Sequence, residues 1–193
     1  VRPQGLTLNL PRCKFSVAGK VDFKNGLDLY AGGPANLEDV GELAENKIKG
    51  EGVVNAHIHG PLTKVLVDFD TELKNAYYLR LNLGEVKGQI TWDDDPNHLL
   101  FRYVQGLKGK SKYVVDGMLD AGKNEKVAIN AQSTEGKTQD FFQIFRELTH
   151  EISWFPSSIS GPFTGSAKIG GGIEMNELQI FADVQGVGWD YLG

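Results

Sequence analysis

The sequence predicts a mainly β protein with two short helices, built from about two copies of one unit. Three observations predict it. Apolar and polar residues alternate with period two through nearly every segment, the pattern of strands with one covered face and one wet face. Two segments, 37–46 and 139–150, replace that alternation with helical spacing. The chain also matches itself in phase. Under one shift of 111, Ile48 meets Ile159, Gly50 meets Gly161, Ala56 meets Ala167, Ile58 meets Ile169 and Gly60 meets Gly171.

Each element has its own signal. Leu6, Leu8 and Leu10 alternate with Thr7 and Asn9 in a first strand. Phe15, Val17, Val21 and Phe23 keep one parity through Gly19, and Leu27 and Leu29 resume after Lys24-Asn25-Gly26. Asn-Gly marks a hairpin turn because both positions tolerate positive φ. Asn36 is placed to cap a helix in which Leu37, Val40 and Leu43 recur at a spacing of three. Later strands carry Ala56 and Ile58, then Val65, Val67 and Phe69, then Leu79, Leu81 and Leu83, then Ile90 and Trp92. Past the acidic turn at 93–97 come Leu99, Phe101 and Tyr103, then Tyr113, Val115 and Leu119, then Val127 and Ile129. Phe141, Phe142, Phe145 and Leu148 share one side of the second helix. Ala167, Ile169, Leu178, Ile180, Ala182 and Val184 complete the strands.

Smaller shifts extend the self-match upstream. Val17-Ala18-Gly19 with Asp22 lies over Val115-Asp116-Gly117 with Asp120 at a shift of 98, and Leu27, Leu29 and Ala31 lie over Val127, Ile129 and Ala131 at 100. Downstream, the shift of 111 carries Val67 to Leu178 and Phe69 to Ile180 without a gap. A period this long marks an array. The expected division is a first, N-terminally truncated unit at residues 1–84 and a second at 85–193, joined in one continuous sheet. Both ends fall inside the unit, which predicts a piece of a longer chain. A closed barrel, a sandwich and an open curved sheet all cover the apolar face that alternation leaves on each strand.

Composition bounds the function classes. Lys and Arg number 20 against 25 Asp and Glu, a net charge of −5 with the signs interspersed. No basic cluster forms a nucleic-acid footprint, so no nucleic-acid partner is expected. No apolar run approaches the roughly 18 residues of a membrane helix. The single Cys13 excludes an internal disulfide and an all-cysteine metal site.

Candidate chemistry is sparse. His57 and His59 alternate on one strand and share a face opposite Ala56 and Ile58. With His98 and His150 the only others, no ligand stands at a familiar metal spacing. The pair reads as surface histidines, and neither metal nor cofactor is expected. Asp93-Asp94-Asp95-Pro96-Asn97 lacks the spaced ligands of a calcium loop. Asp68 and Asp70 share the polar face of a strand as solvated charge. Gly170-Gly171-Gly172 precedes no helix, and neither a nucleophile elbow nor a P-loop sequence appears. No catalytic residue is expected. Trp154-Phe155-Pro156 reads as a cap over the sheet edge or a contact for a partner.

One longer pattern resembles a known family. It begins with Tyr113-Val114-Val115-Asp116-Gly117-Met118-Leu119-Asp120, the alternating strand to Ala131 and the helical segment 140–148. It continues through Ile159-Ser160-Gly161-Pro162-Phe163-Thr164-Gly165-Ser166-Ala167-Lys168-Ile169-Gly170-Gly171 to Leu178-Gln179-Ile180. Together these resemble the repeat of the AsmA/TamB proteins of Gram-negative bacteria, a strand pair, a short helix and a Ser-Gly-x-x-x-Gly-x-x-x-x-x-Gly strand. The first copy keeps Gly50 and Gly60 and has Val54 at the middle glycine, so the resemblance spans nearly the whole chain.

The resemblance implies a curved antiparallel sheet forming an open groove, a β-taco with an apolar interior. It implies a noncatalytic, periplasmic protein whose parent is anchored in the inner membrane and carries phospholipid to the outer membrane. The implied partners are phospholipid acyl chains, adjacent repeats of the parent chain and an outer-membrane β-barrel protein. The last would be met by a scaffold that assists barrel assembly through strand addition. The implied groove lining is Val17, Val21, Phe23, Ala56, Ile58, Val67, Phe69, Leu79 and Leu81 in the first copy. In the second it is Val115, Leu119, Val127, Ile129, Ala167, Ile169 and Ile180.

Overall fold

A computed structural model describes residues 5–41, 48–78, 81–93, 98–120, 126–144, 159–172, 177–186, 188 and 190–191. The chain forms β1 (Leu6–Asn9), β2 (Lys14–Asp22), β3 (Gly26–Asn36), helix α1 (Leu37–Gly41), β4 (Ile48–Gly60), β5 (Leu66–Tyr78) and β6 (Leu81–Trp92). It continues with β7 (His98–Lys108), β8 (Ser111–Asp120), β9 (Lys126–Lys137), helix α2 (Thr138–Ile144), β10 (Ile159–Ser160), β11 (Pro162–Gly172), β12 (Leu178–Gly186) and β13 (Asp190–Tyr191). An 11-stranded sheet runs in chain order from β1 to β9 and then through β11 to β12, while β10 pairs with β13. Every pairing is antiparallel, and β1 and β12 stand at opposite edges of a curved sheet that does not close.

Local chemistry explains the turns and caps. The Asp22 carboxylate accepts the backbone amides of Lys24 at 2.9 Å and Asn25 at 3.2 Å, closing the expected hairpin. Those bonds, that from the Lys24 amide first, hold its carboxyl well below the usual carboxylate range. Asn36 Oδ1 accepts the Glu38 amide at 3.0 Å and caps α1. The expected helices extend to residues 46 and 150, but 42–47 and 145–150 lie outside the described residues. So do Trp154-Phe155-Pro156 and positions 94–97.

Arg12 fastens the turn before β2 to α1. Its Nε donates to Asp39 Oδ1 at 2.8 Å, its Nη1 donates to Glu38 Oε2 at 2.7 Å, and its backbone amide donates to Asp39 Oδ2. Burial alone would raise the Asp39 pKa, but the amide and guanidinium of Arg12 outweigh it and the carboxyl titrates below its ordinary value. The resulting stability is present above the unfolded carboxylate pKa of about 3.9 and is lost as pH falls through the lower folded value. Asp39→Asn should therefore melt at a lower temperature than the native chain at neutral pH and approach it in strong acid. Parallel melting temperatures across that range would remove Asp39 from the acid transition.

Counting strands of the main sheet, a strand–strand–helix–strand–strand order occurs twice, as β2-β3-α1-β4-β5 and as β8-β9-α2-β11-β12, with β6 and β7 between and the short β10 inserted after α2. A division at 84/85 falls within β6. Paired glycines share a backbone conformation: φ is 137° at Gly19 and 149° at Gly117, 140° at Gly50 and 157° at Gly161, 104° at Gly60 and 98° at Gly171. The gapless alignment, however, fails at the second hairpin. Ile58 opposes Val67 while Ile169 opposes Ile180, so Val67 corresponds to Ile180, a shift of 113 (180 − 67), and not to Leu178. Turn length is free to change by two residues because an even change preserves which face each side chain occupies.

The densest packing lies toward the helix-capped end. Leu73, Ala76, Val86 and Val104 are buried together, with Leu37 of α1 and Val54, Leu83, Ile90, Phe101 and Val115 against them. Tyr113 on β8 lies over Gly106 of β7, and its hydroxyl donates to the Leu83 carbonyl of β6 at 2.6 Å. Strands two apart are about 9.6 Å apart in a flat sheet, and this bond draws β6 and β8 together across the apolar face. Burial pushes the Tyr113 phenol up. The Asp140 carboxylate ties α2 to the β7–β8 turn, accepting the Lys110 amide at 2.8 Å and the Ser111 hydroxyl at 2.9 Å.

Candidate functional site

Register builds one unbroken apolar row across the sheet. Leu6 opposes Val17, Val17 opposes Ala31, Ala31 opposes Ala56, Ala56 opposes Phe69 and Phe69 opposes Ile90. The row continues from Ile90 to Phe101, Gly117, Ile129, Ile169 and Ile180. Directly opposed residues in an antiparallel pair point to the same face. Every member therefore lies on one side of the sheet, with Gly117 as the position that carries no side chain. At about 4.8 Å per strand the row is roughly 48 Å long, some three times the ~15 Å hydrocarbon depth of one bilayer leaflet.

Neighbouring rows repeat the character. Leu29, Ile58 and Val67 are directly opposed in turn. So are Leu119, Val127 and Gly171, and likewise Val115, Ala131 and Ala167. The opposite face carries Tyr30, His57, Asp68 and Thr91 in consecutive register. One side of the molecule is apolar from edge to edge; the other is polar in this row across β3–β6, and Leu100, Met118 and Ala128 continue the row across β7–β9.

The apolar side is only partly covered. Leu37 packs on it at the helix-capped end, and Phe141 of α2 meets Phe163 edge-on at 5.8 Å between ring centres. Among the described residues no large side chain is fully buried. The accessible surface is 12409 Å², against about 9,100 Å² for a compact monomer of this mass. Within the apolar row exposure is greatest on the edge strands, where Leu6 is 61% and Ile180 49% exposed. No helix among the described residues is long and apolar enough to cross a membrane.

Most of the expected lining shares this face. Val17, Val21, Ala56, Ile58, Val67 and Phe69 do so by register, as do Val115, Leu119, Val127, Ile129, Ala167, Ile169 and Ile180. Leu81 sits beyond the Gly84 irregularity, two residues from Leu83, which packs on the core. Phe23 departs from the expectation. It falls in the β2–β3 turn and is 79% exposed, because parity ends where the Asp22 carboxylate closes the turn. Leu79 lies outside the described residues.

Tyr103, not among the expected lining but set by alternation in one strand with Leu99 and Phe101, also departs from its pattern. The register of β7 against β8 slips between Phe101 and Val104, which turns Val104 inward and leaves Tyr103 77% exposed at φ 48°. Sequence reasoning also missed the partners of the two histidines. Asp28 opposes His59 and Asp68 opposes His57, contacts set by hairpin register and invisible to linear ligand spacing.

The fold and site define an open β groove built on one 11-stranded sheet, apolar on one face and polar on the other across β3–β6. The chain matches no family model, no curated protein and no solved structure.

Proposed function

We propose that the chain is a segment of a periplasmic AsmA/TamB-like protein whose apolar groove carries phospholipid between the inner and outer membranes. The observation that carries this reading is the continuous apolar row from Leu6 to Ile180 on a sheet that does not close. An acyl chain of about 15 methylenes costs roughly 12 kcal/mol to expose fully to water, at ~0.8 per CH₂. A surface that replaces the bilayer along the whole path removes most of that barrier. An apolar lining also makes no directional polar contacts, so a tail slides from one strand to the next without being held. The resemblance of the glycine-patterned strands to the AsmA/TamB repeat supplies the compartment and the membranes.

The role proposed is noncatalytic. The test is mass spectrometry of the protein purified from cells and then stripped of lipid. Phospholipid that co-purifies with the native chain and rebinds the stripped one is the expected result, and native protein free of lipid overturns the reading.

A second reading is a scaffold that assists outer-membrane β-barrel assembly. The edge of β12 favours it, since among the described residues this strand pairs only with β11 and an unpaired edge accepts a further strand. Register-specific crosslinks from β12 to a barrel strand, without bound lipid, select this alternative.

A further inference from the structure

We infer that the polar face carries a site for a divalent transition-metal cation of the zinc type, formed by His57, His59 and Asp68 with Asp28 beside them. The site lies on the side of the sheet away from the groove and does not rest on the lipid reading. Alternation along β4 puts both imidazoles on one face. The hairpins then bring a carboxylate to each flank: Asp28 of β3 opposes His59, and Asp68 of β5 opposes His57. One ligand atom from each of His57, His59 and Asp68 lies within 4.8 Å of the other two.

The neighbours hold these side chains in place. Tyr30 stacks on His57 with ring centres 4.2 Å apart and planes 5° from parallel, and His57 stacks on His59 at 4.5 Å. Thr91 donates to Asp68 Oδ1 at 2.7 Å, leaving Oδ2 toward His59 Nε2 at 2.9 Å. His57 Nε2 stands 2.9 Å from Asp28 Oδ1. An orienting hydroxyl on a ligating carboxylate and fixed ring planes are what a metal site requires around its ligands.

The geometry suits a small cation. Ligands at 2.0–2.1 Å in a tetrahedral shell stand about 3.3 Å apart, so both His–Asp pairs are already at ligand–ligand range. The widest separation must close by roughly 1.5 Å, within the swing of side chains that remain solvent-accessible. The His57 and His59 side chains are 33% and 31% exposed, which gives an ion direct entry from water. Two imidazoles with carboxylates favour zinc, cobalt, nickel or copper over magnesium and calcium, which take all-oxygen shells. A bound ion would link β3, β4 and β5 through their side chains, a clamp across the first copy. The second copy has no counterpart, since Lys168 and Gly170 occupy the positions of His57 and His59 under the shift of 111.

The test is titration of the metal-free full chain with Zn²⁺ by calorimetry, and with Co²⁺ by visible absorption. One saturable ion per chain is expected, with cobalt showing the ligand-field bands of a nitrogen- and oxygen-bound ion. His59→Gln and Asp68→Asn should each weaken binding by about tenfold or more while leaving the metal-free far-UV spectrum unchanged. Imidazole NMR signals of the native chain keep the proposal testable should a variant misfold. Zn²⁺ should shift those of His57 and His59 and spare His98 and His150. Absence of saturable binding overturns the site, and so does binding that ignores both substitutions or shifts the other histidines instead.

Discussion

Val67→Asp should abolish phospholipid capture while leaving the sheet folded. Val67 sits between Ile58 and Trp92 on the apolar face, in the middle of the path a tail would follow. A carboxylate there must either be desolvated against the tail or draw water into the groove. Burying an unpaired charge costs several kcal/mol in practice, and each ~1.4 kcal/mol is tenfold in occupancy. The empty groove is open enough to hydrate the charge, so folding suffers less than in a closed core. Gln132→Asp, exposed on the opposite face of β9, is the matched control and should be nearly silent. The measurement, on the conduit proposed above, is phospholipid crosslinking and outer-membrane integrity in cells that carry the substitution. Normal capture and an intact barrier, with Val67→Asp folded and expressed, would sink the conduit and leave the scaffold.

The strands were legible because period-two alternation encodes a sheet with two unlike faces. Val17, Val67, Ile129 and Ile169 show their orientation directly in their neighbours. The β2–β3 hairpin and the α1 cap were legible for a related reason. Gly26, at φ 105°, and Asn36, the cap, are residue types chosen by local backbone conformation, with no help from distant packing.

What escaped the sequence depends on relations between strands. Tyr103 and Val104 are both apolar, so nothing in the order of letters shows that the register slip after Phe101 sends one outward and the other into the core. The same applies between Leu73 and Ala76, where Asn75 takes φ 49°. Alternation also predicts a covered face without predicting its cover. A barrel, a sandwich and this open sheet therefore read alike until Leu6 and Ile180 are found at opposite edges. The histidine–aspartate cluster needed the register of two hairpins at once. His57 and Asp68 are eleven residues apart in sequence (68 − 57) and directly opposed in space.

Gly117→Ala should be among the most damaging single-methyl additions to this sheet. Gly117 has φ 149°, and a Cβ there would meet the Ala128 carbonyl oxygen at 2.2 Å and the Ile129 Cα at 2.8 Å. Both are backbone atoms of the paired strand, so no side-chain rotation relieves the contact. Either β8 and β9 separate, or the residue abandons a conformation that alanine rarely adopts. Strain of this kind costs about 1–3 kcal/mol before any loss of hydrogen bonds, and separation of the strands would interrupt the apolar row where it passes from β8 to β9. Gly170→Ala is the control. Its nearest neighbour to an added Cβ is the Val127 carbonyl oxygen at 3.8 Å, and its φ is not among the positive values. That substitution should be neutral or should stabilise by up to about 1 kcal/mol through the unfolded chain. Gly19→Ala extends the test to the other copy, because its Cβ would meet the Asp28 carbonyl oxygen at 2.1 Å. Urea denaturation should show large, similar losses for Gly19→Ala and Gly117→Ala and none for Gly170→Ala. Equal midpoints for all three would mean that the close approach of strands at these glycines does not limit the stability of the sheet.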